Sequence, residues 1–329
     1  MRNPLSKTIE QIKPSGIRKF FDIVSEMPHA ISLGVGEPDF DTPWHVRSEG
    51  IRSLEKGRTF YTSNSGLIEL RQEICKWYQR KYNVLYDYKT EALLTVGGSE
   101  GIDVALRAML DPGDEVIIPE PCYVSYVPCV QLIGAVPVTI ELKNENQFRL
   151  TPEELLAAIT DKTKILILAF QSNPTGAVRT KEVLEPIAKI CQEKDIYVIS
   201  DEIYSELTYG GQKHCSISSL PGMKERTIVI NGFSKAYAMT GWRLGYALAP
   251  EVIAHQMTKI HQFAIMCAPT TSQYAAIEAI KNGDADIEKM CKSYDQRRRF
   301  LLKKFEEIGL PCFEPHGAFY VFPCIKEFG

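Results

Sequence analysis

Hydrophobic positions along this 329-residue chain follow two different periods. Short apolar runs at 92–96, 115–119, 136–140, 165–170, 196–200, 227–230 and 245–249 have the length and content of buried strands. Between and before them lie stretches of helical spacing at 67–82, 99–110, 152–159 and 181–193; in the first, Leu67, Leu70, Ile74, Trp77 and Tyr78 recur on one face. Strand and helix alternating in this way predict an α/β fold: a mainly parallel seven-stranded sheet covered by helices on both faces. Ahead of it, residues 6–23 carry an amphipathic helical pattern broken by Pro14 and Gly16, and 31–39 read as a short strand entering a turn. Beyond Pro250 the spacing becomes helical, with a long helix over 287–308 that leads toward a second domain, followed by a strand-like stretch at 318–323.

Composition narrows the class. With 44% hydrophobic and 24% charged residues the chain is an ordinary soluble globular protein, long enough for about two domains. A net charge of −3 and a pI near 6.1 offer no general attraction to nucleic acid or to anionic lipid, so neither is expected as a partner. The basic cluster Arg297-Arg298-Arg299 falls in a helical pattern and is assigned to a solvated face. Nine cysteines without a CxxC pair fit reduced thiols rather than a disulfide framework or a zinc site, and the six histidines show no ligand spacing. Met1-Arg2-Asn3-Pro4 opens a polar stretch, not an apolar signal core, and no run is long enough to span a bilayer. The expectation is a cytoplasmic protein without metal.

Candidate chemistry collects just past the predicted strands, where ligands gather in parallel sheets. After 227–230 comes Asn231-Gly232-Phe233-Ser234-Lys235, with Arg243 eight positions beyond Lys235. A lysine at a strand end either snorkels its ammonium to solvent or, desolvated beside another cation, becomes a free amine able to attack an aldehyde. After 92–96 comes Gly97-Gly98-Ser99-Glu100, whose backbone amides at a helix start form either a simple cap or a phosphate nest. Gln171-Ser172-Asn173-Pro174-Thr175-Gly176 follows 165–170 and presents Asn173 from a turn. Asp201-Glu202-Ile203-Tyr204 follows 196–200; Asp201 there either caps the next segment or pairs with a protonated ring nitrogen, and Tyr204 can donate to a phenolate oxygen. Tyr123 offers a flat face for a heteroaromatic ring. Together these groups describe a pocket for a phosphorylated aromatic aldehyde, which pyridoxal 5′-phosphate satisfies.

The order of these pieces resembles the class I and II aminotransferases of the fold-type I pyridoxal-phosphate enzymes over nearly the whole chain. The resemblance rests on Ser234-Lys235 with Arg243, on Asn173-Pro174-Thr175-Gly176 and on Ser200-Asp201-Glu202-Ile203-Tyr204. It implies Lys235 as the aldimine lysine that moves the proton, Asp201 on the pyridine nitrogen, Asn173 and Tyr204 on the ring oxygen, and Tyr123 stacked on the ring. The phosphate would be held by the amides of Gly98, Ser99 and Glu100 with Ser234 and Arg243. Tyr61 matches a tyrosine that reaches the neighbouring subunit's phosphate, implying a homodimer with shared active sites. Gly36, in Gly36-Glu37-Pro38-Asp39, matches a glycine whose backbone approaches the substrate, as Asn173 does.

The implied organisation is an arm and part of a small α+β domain at 1–45, a large cofactor domain at 46–285, and a connector helix with the start of the small domain at 286–329. The implied activity is ping-pong transfer of an amino group from an L-amino acid to a 2-oxo acid. A carbon–sulfur β-lyase and a non-catalytic pyridoxal-phosphate-binding protein share the same fold and cofactor. Two departures stand out. Gln171-Ser172 replaces the usual Pro-Asn, altering the substrate side, and no residue matches the family arginine that binds the substrate carboxylate beyond His316-Gly317-Ala318-Phe319-Tyr320. The chain is therefore expected to be part of a longer protein or a shortened form with impaired transamination.

Overall fold

The computed structural model describes residues 2–14, 23, 26–27, 29, 34 and 36–326. Its centre is one sheet of seven strands: β1 (Ala92–Thr95), β2 (Glu115–Glu120), β3 (Val136–Glu141), β4 (Thr163–Ala169), β5 (Tyr197–Asp201), β6 (Thr227–Gly232) and β7 (Gly245–Leu248). They lie in the order β1-β7-β6-β5-β4-β2-β3. All neighbouring pairs are parallel except those of β7, which runs antiparallel to both β1 and β6. Each apolar run identified in the sequence is one of these strands, to within a few residues at its ends.

The strands are continuously apolar because both faces are covered. On one face Ile118, Ile167, Ile199 and Ile230 pack with Ile102 and Leu106 of the helix Gly97–Met109 and with Ile253 and Met257 of the helix Glu251–Ala264. On the other, Ile117, Leu166, Leu168 and Val198 pack with Leu184, Ile187 and Cys191 of the helix Lys181–Glu193. Successive residues of β4 thus point to opposite cores, as the pleat requires. All six residues of β6 are buried, so the turn that follows it is anchored beside the core. Among the described residues no helix is long and apolar enough to cross a membrane.

Four expectations are corrected or only partly met. The stretch 318–323 is not a strand. Ala318 adopts a left-handed φ of 55°, which interrupts extended backbone, and only isolated bridges Thr208↔Gly317 and Cys312↔Pro323 form around it. The arginine cluster is not wholly solvated. Arg298 is buried on the helix Asp284–Glu307, where its guanidinium meets Asp295 and Glu314, each at 2.8 Å. This pairing ties the long helix to the segment behind it. At the amino end Lys7–Gln11 is helical, capped by the Ser6 hydroxyl accepting from the Ile9 amide, and Ile23 is helical too; 15–22 of the expected 6–23 helix lie outside the described residues. Of the expected 31–39 strand, 31–33 and 35 also lie outside them, and 36–38 carry no strand. Helices at Trp44–Glu55 and Tyr126–Leu132 were not anticipated.

The carboxyl-terminal segment is pinned against the loops that follow β4 and β5. The Ala318 amide donates to the Leu207 carbonyl at 2.9 Å, the Tyr209 amide to the His316 carbonyl at 2.8 Å, and the His316 amide to the Gly176 carbonyl at 3.1 Å. Phe319 and Tyr320 are thereby carried to the carboxyl edge of the sheet.

Candidate active site

A cavity of about 620 Å³ opens at that edge, between the ends of β4, β5 and β6 and the start of the helix Gly97–Met109. Its wall contains Gly36, Gly98, Ser99, Tyr123, Asn173, Asp201, Tyr204, Ser234, Lys235 and Arg243. Ten of the twelve residues singled out in the sequence therefore meet in one place. Glu100 does not line it with its side chain, which turns back so that Oε2 accepts the Val96 amide at 2.5 Å and Oε1 meets His261 Nδ1 at 2.6 Å. Tyr61 lies elsewhere, 81% exposed on the outer surface beside Phe60 at 80%.

Lys235 sits in the turn after β6, and its ammonium donates to the Gly36 carbonyl at 2.5 Å. The Nζ lies 5.6 Å from the Phe319 ring centroid and 5.8 Å from that of Tyr204. Burial among these groups lowers its pKa to about 8, with Glu37 and Asp201 opposing and Arg243 reinforcing the shift. An amine with that pKa is available as a free base near neutrality.

Asp201, the last residue of β5, is buried. Burial pushes its carboxyl up, while the Tyr126 hydroxyl, donating to Oδ2 at 2.7 Å, and the Ile203 amide, donating to Oδ1 at 3.2 Å, pull it down. A carboxylate held this way, facing a cavity, is completed by a cation from the ligand side. The adjacent Glu202 points into the interior instead. It is fully buried, yet its carboxyl stays below the usual range because His214, Tyr78 and Ser216 surround it, with Ser200 also donating at 2.8 Å. His214 Nε2 meets Glu202 at 2.9 Å, and the other ring nitrogen of His214 meets the Gln171 amide at 3.2 Å. Gln171 in turn lines the cavity.

Part of the cavity lining is cationic. The helix Gly97–Met109 begins without any side-chain cap, so its first amides face the cavity unpaired by side chains. The Arg243 guanidinium lies directly over Gly97, where an added Cβ would meet Nη2 at 2.7 Å, and Gly97 takes a φ of +76° suited to glycine. Arg243 donates to the Thr240 carbonyl at 3.0 Å and has no carboxylate partner among the described residues. Free amides, the Ser99 and Ser234 hydroxyls and an unneutralised guanidinium form an anion site.

The donor set thus fits pyridoxal 5′-phosphate at three points: an anion nest for the phosphate, a buried carboxylate for a protonated ring nitrogen, and a deprotonatable amine for the aldehyde carbon. Sequence reasoning overlooked Tyr126, Tyr320, Glu37 and Thr240. Tyr126 lies three positions after Tyr123, and Glu37 directly follows Gly36, which could have marked both; nothing local marks Tyr320 or Thr240.

Residues 28–327 match the family model described as aminotransferase class I and II. The chain is 52% identical over 329 residues to the Bacillus subtilis (strain 168) protein YugH, covering 100% of this chain and 85% of that one. It is 45% identical to an aspartate aminotransferase of Pyrococcus abyssi, over 99% of this chain and 84% of the relative. Among solved structures, an aspartate aminotransferase of Thermus thermophilus with maleate superposes with a TM-score of 0.95 at 37% identity, covering 100% of this chain and 87% of that chain. A sheet of this topology, a lysine and a carboxylate in one cavity and this degree of similarity lead to one conclusion: the chain belongs to the class I and II aminotransferases, enzymes of fold-type I that depend on pyridoxal 5′-phosphate.

Proposed function

We propose that the enzyme moves an amino group from an L-amino acid to a 2-oxo acid in a ping-pong sequence, with Lys235 as the covalent anchor of the cofactor. The observation that carries this reading is the convergence of Lys235, Asp201 and the Arg243-flanked helix start on one cavity. Once bound, the cofactor supplies an electron sink for the carbanion left when the substrate Cα–H bond breaks. The rest falls to side chains. Lys235, poised near pKa 8, takes the proton from the substrate carbon and returns it one position away. Asp201 keeps a proton on the ring nitrogen, Asn173 and Tyr204 orient the ring oxygen, and Tyr123 covers the ring face. The amides of Gly98, Ser99 and Glu100, with Ser234 and Arg243, hold the phosphate. Gly36 brings backbone close to the substrate.

The same reading assigns residues 46–285 to a cofactor domain and 1–45 with 286–329 to a smaller domain. It makes the working unit a homodimer with shared sites. Supporting this, Phe60, Tyr61, Trp44 and Phe263 are all large, apolar or aromatic, and between 65% and 82% exposed. The Thr270 hydroxyl bonds the Phe60 carbonyl and the Asn64 amide bonds the Met266 carbonyl, so the loop bearing Tyr61 and the end of the Phe263 helix form one surface.

The test is a spectrum of the loaded enzyme with glutamate, aspartate, alanine, leucine, phenylalanine or a cysteine conjugate, and no 2-oxo acid present. Loss of the visible band with release of one 2-oxo acid per site is the expected outcome. Continuous release of pyruvate and thiol from the cysteine conjugate would assign the enzyme to carbon–sulfur β-elimination. A band unmoved by every donor would contradict turnover.

A further inference from the structure

The hydroxyls of Tyr204 and Tyr320 lie 2.6 Å apart, joining residues 116 positions apart in the chain. A phenol has one hydrogen to give and lone pairs to receive with. If Tyr204 spends its hydrogen on the cofactor's ring oxygen, as the functional reading above holds and on which this inference rests, the hydrogen between the two tyrosines must come from Tyr320. We propose that Tyr320 is a positioning residue: it donates to Tyr204 and so fixes and polarises the O–H that Tyr204 aims at the cofactor.

The surroundings of Tyr320 leave it little freedom to do otherwise. Its hydroxyl lies against Gly36, where an added Cβ would collide with it. Its ring meets the Tyr204 ring edge-on at 5.8 Å between centroids, and Phe319 meets the same Tyr204 ring at 5.4 Å. The backbone carrying Tyr320 is bonded to the backbone carrying Tyr204, through the Ala318 amide to the Leu207 carbonyl and the bridge Thr208↔Gly317. The two tyrosines are therefore tied to one another through their backbones as well as through their hydroxyls. The carbonyl of the same Gly36 accepts from Lys235, so three separated stretches of chain meet at this point.

Hydrogen bonds in series polarise one another. Losing a proton from the lysine-bound cofactor places more negative charge on its ring oxygen, so a stronger Tyr204 donor favours the deprotonated form and lowers the titration midpoint. Removing the Tyr320 hydroxyl weakens that donor. In Tyr320→Phe holoenzyme the pH midpoint of the visible absorbance band should rise by about half a unit. Tyr320→Leu should show the same rise together with a lower melting temperature. In a Tyr204→Phe background neither change should move the midpoint further. A midpoint unchanged in Tyr320→Phe while Tyr204→Phe shifts it would overturn the proposal, as would shifts that simply add in the double variant, or a rise seen with Leu and not with Phe. A midpoint unmoved by Tyr204→Phe itself would show that the assignment of Tyr204 to the ring oxygen has failed, and the proposal with it.

Discussion

The Tyr126 hydroxyl donates to the Asp201 carboxylate at 2.7 Å, linking the first residue of a helix to the last residue of β5 across 75 positions. Asp201 is held in place by this bond and by one backbone amide. Tyr126→Phe should weaken cofactor binding about five- to tenfold, the worth of one buried hydrogen bond, while preserving the fold. Asp201→Ala removes the proposed ring-nitrogen partner and should lower turnover by about a hundredfold or more. Titration of the apoenzyme with pyridoxal phosphate and steady-state rates check both; equal effects of the two variants would contradict the assigned roles.

The lowered pKa of Lys235 has a pH signature. Because the folded value is about 8 against 10.5 in an exposed lysine, the free amine accumulates through that midpoint. The rate at which apoenzyme takes up the cofactor's aldehyde should climb from pH 7 and level off above about 8. Glu37 favours the ammonium form, so Glu37→Gln should move the midpoint down, by less than about one unit given that burial is the larger cause. Between about 8 and 10.5 the unfolded chain binds more protons at this group than the folded one, so Lys235 contributes a rise in apoenzyme stability with pH across that window. Stopped-flow absorbance and thermal melts at several pH values read these two effects.

Arg243, which has no carboxylate partner among the described residues, lines the cavity beside the helix start. Arg243→Gln removes the proposed charge-assisted contact to the phosphate and should raise the cofactor dissociation constant about ten- to a hundredfold. Inorganic phosphate should compete with cofactor in the native apoenzyme and much less in the variant. Equal competition in both would place the phosphate elsewhere.

Tyr61 projects from the surface, outside its own cavity. If it completes the site of a second copy, Lys235→Ala and Tyr61→Ala proteins should each be nearly inactive alone. Refolded together in equal amounts, they should recover about a quarter of native activity, since about half the dimers are mixed and each of those carries one intact site. No recovery, with dimers confirmed by light scattering, would remove Tyr61 from a shared site.

The sheet was legible because strands buried on both faces are written as unbroken apolar runs, and the cavity because its residues follow those runs directly. Lys235, Asp201 and Asn173 could be located from strand ends alone. Their supports could not. Tyr126 and Tyr320 reach Asp201 and Tyr204 only through tertiary folding, over 75 and 116 positions. The left-handed position itself is filled by Ala318 rather than by glycine or asparagine, so its apolar neighbours read as a strand. Arg298 reads as a surface charge until the fold brings Glu314 within 2.8 Å of it. Tyr61 was assigned by resemblance, and in the single chain it lies at the surface.

The central claim is that Lys235 anchors the cofactor in this cavity. Borohydride reduction of the loaded enzyme, followed by proteolysis and peptide mass spectrometry, tests it most directly. The phosphopyridoxyl group should appear on the peptide containing Lys235 and vanish in Lys235→Ala. Its appearance on a different lysine of the native enzyme, or its persistence in the variant, would contradict the account.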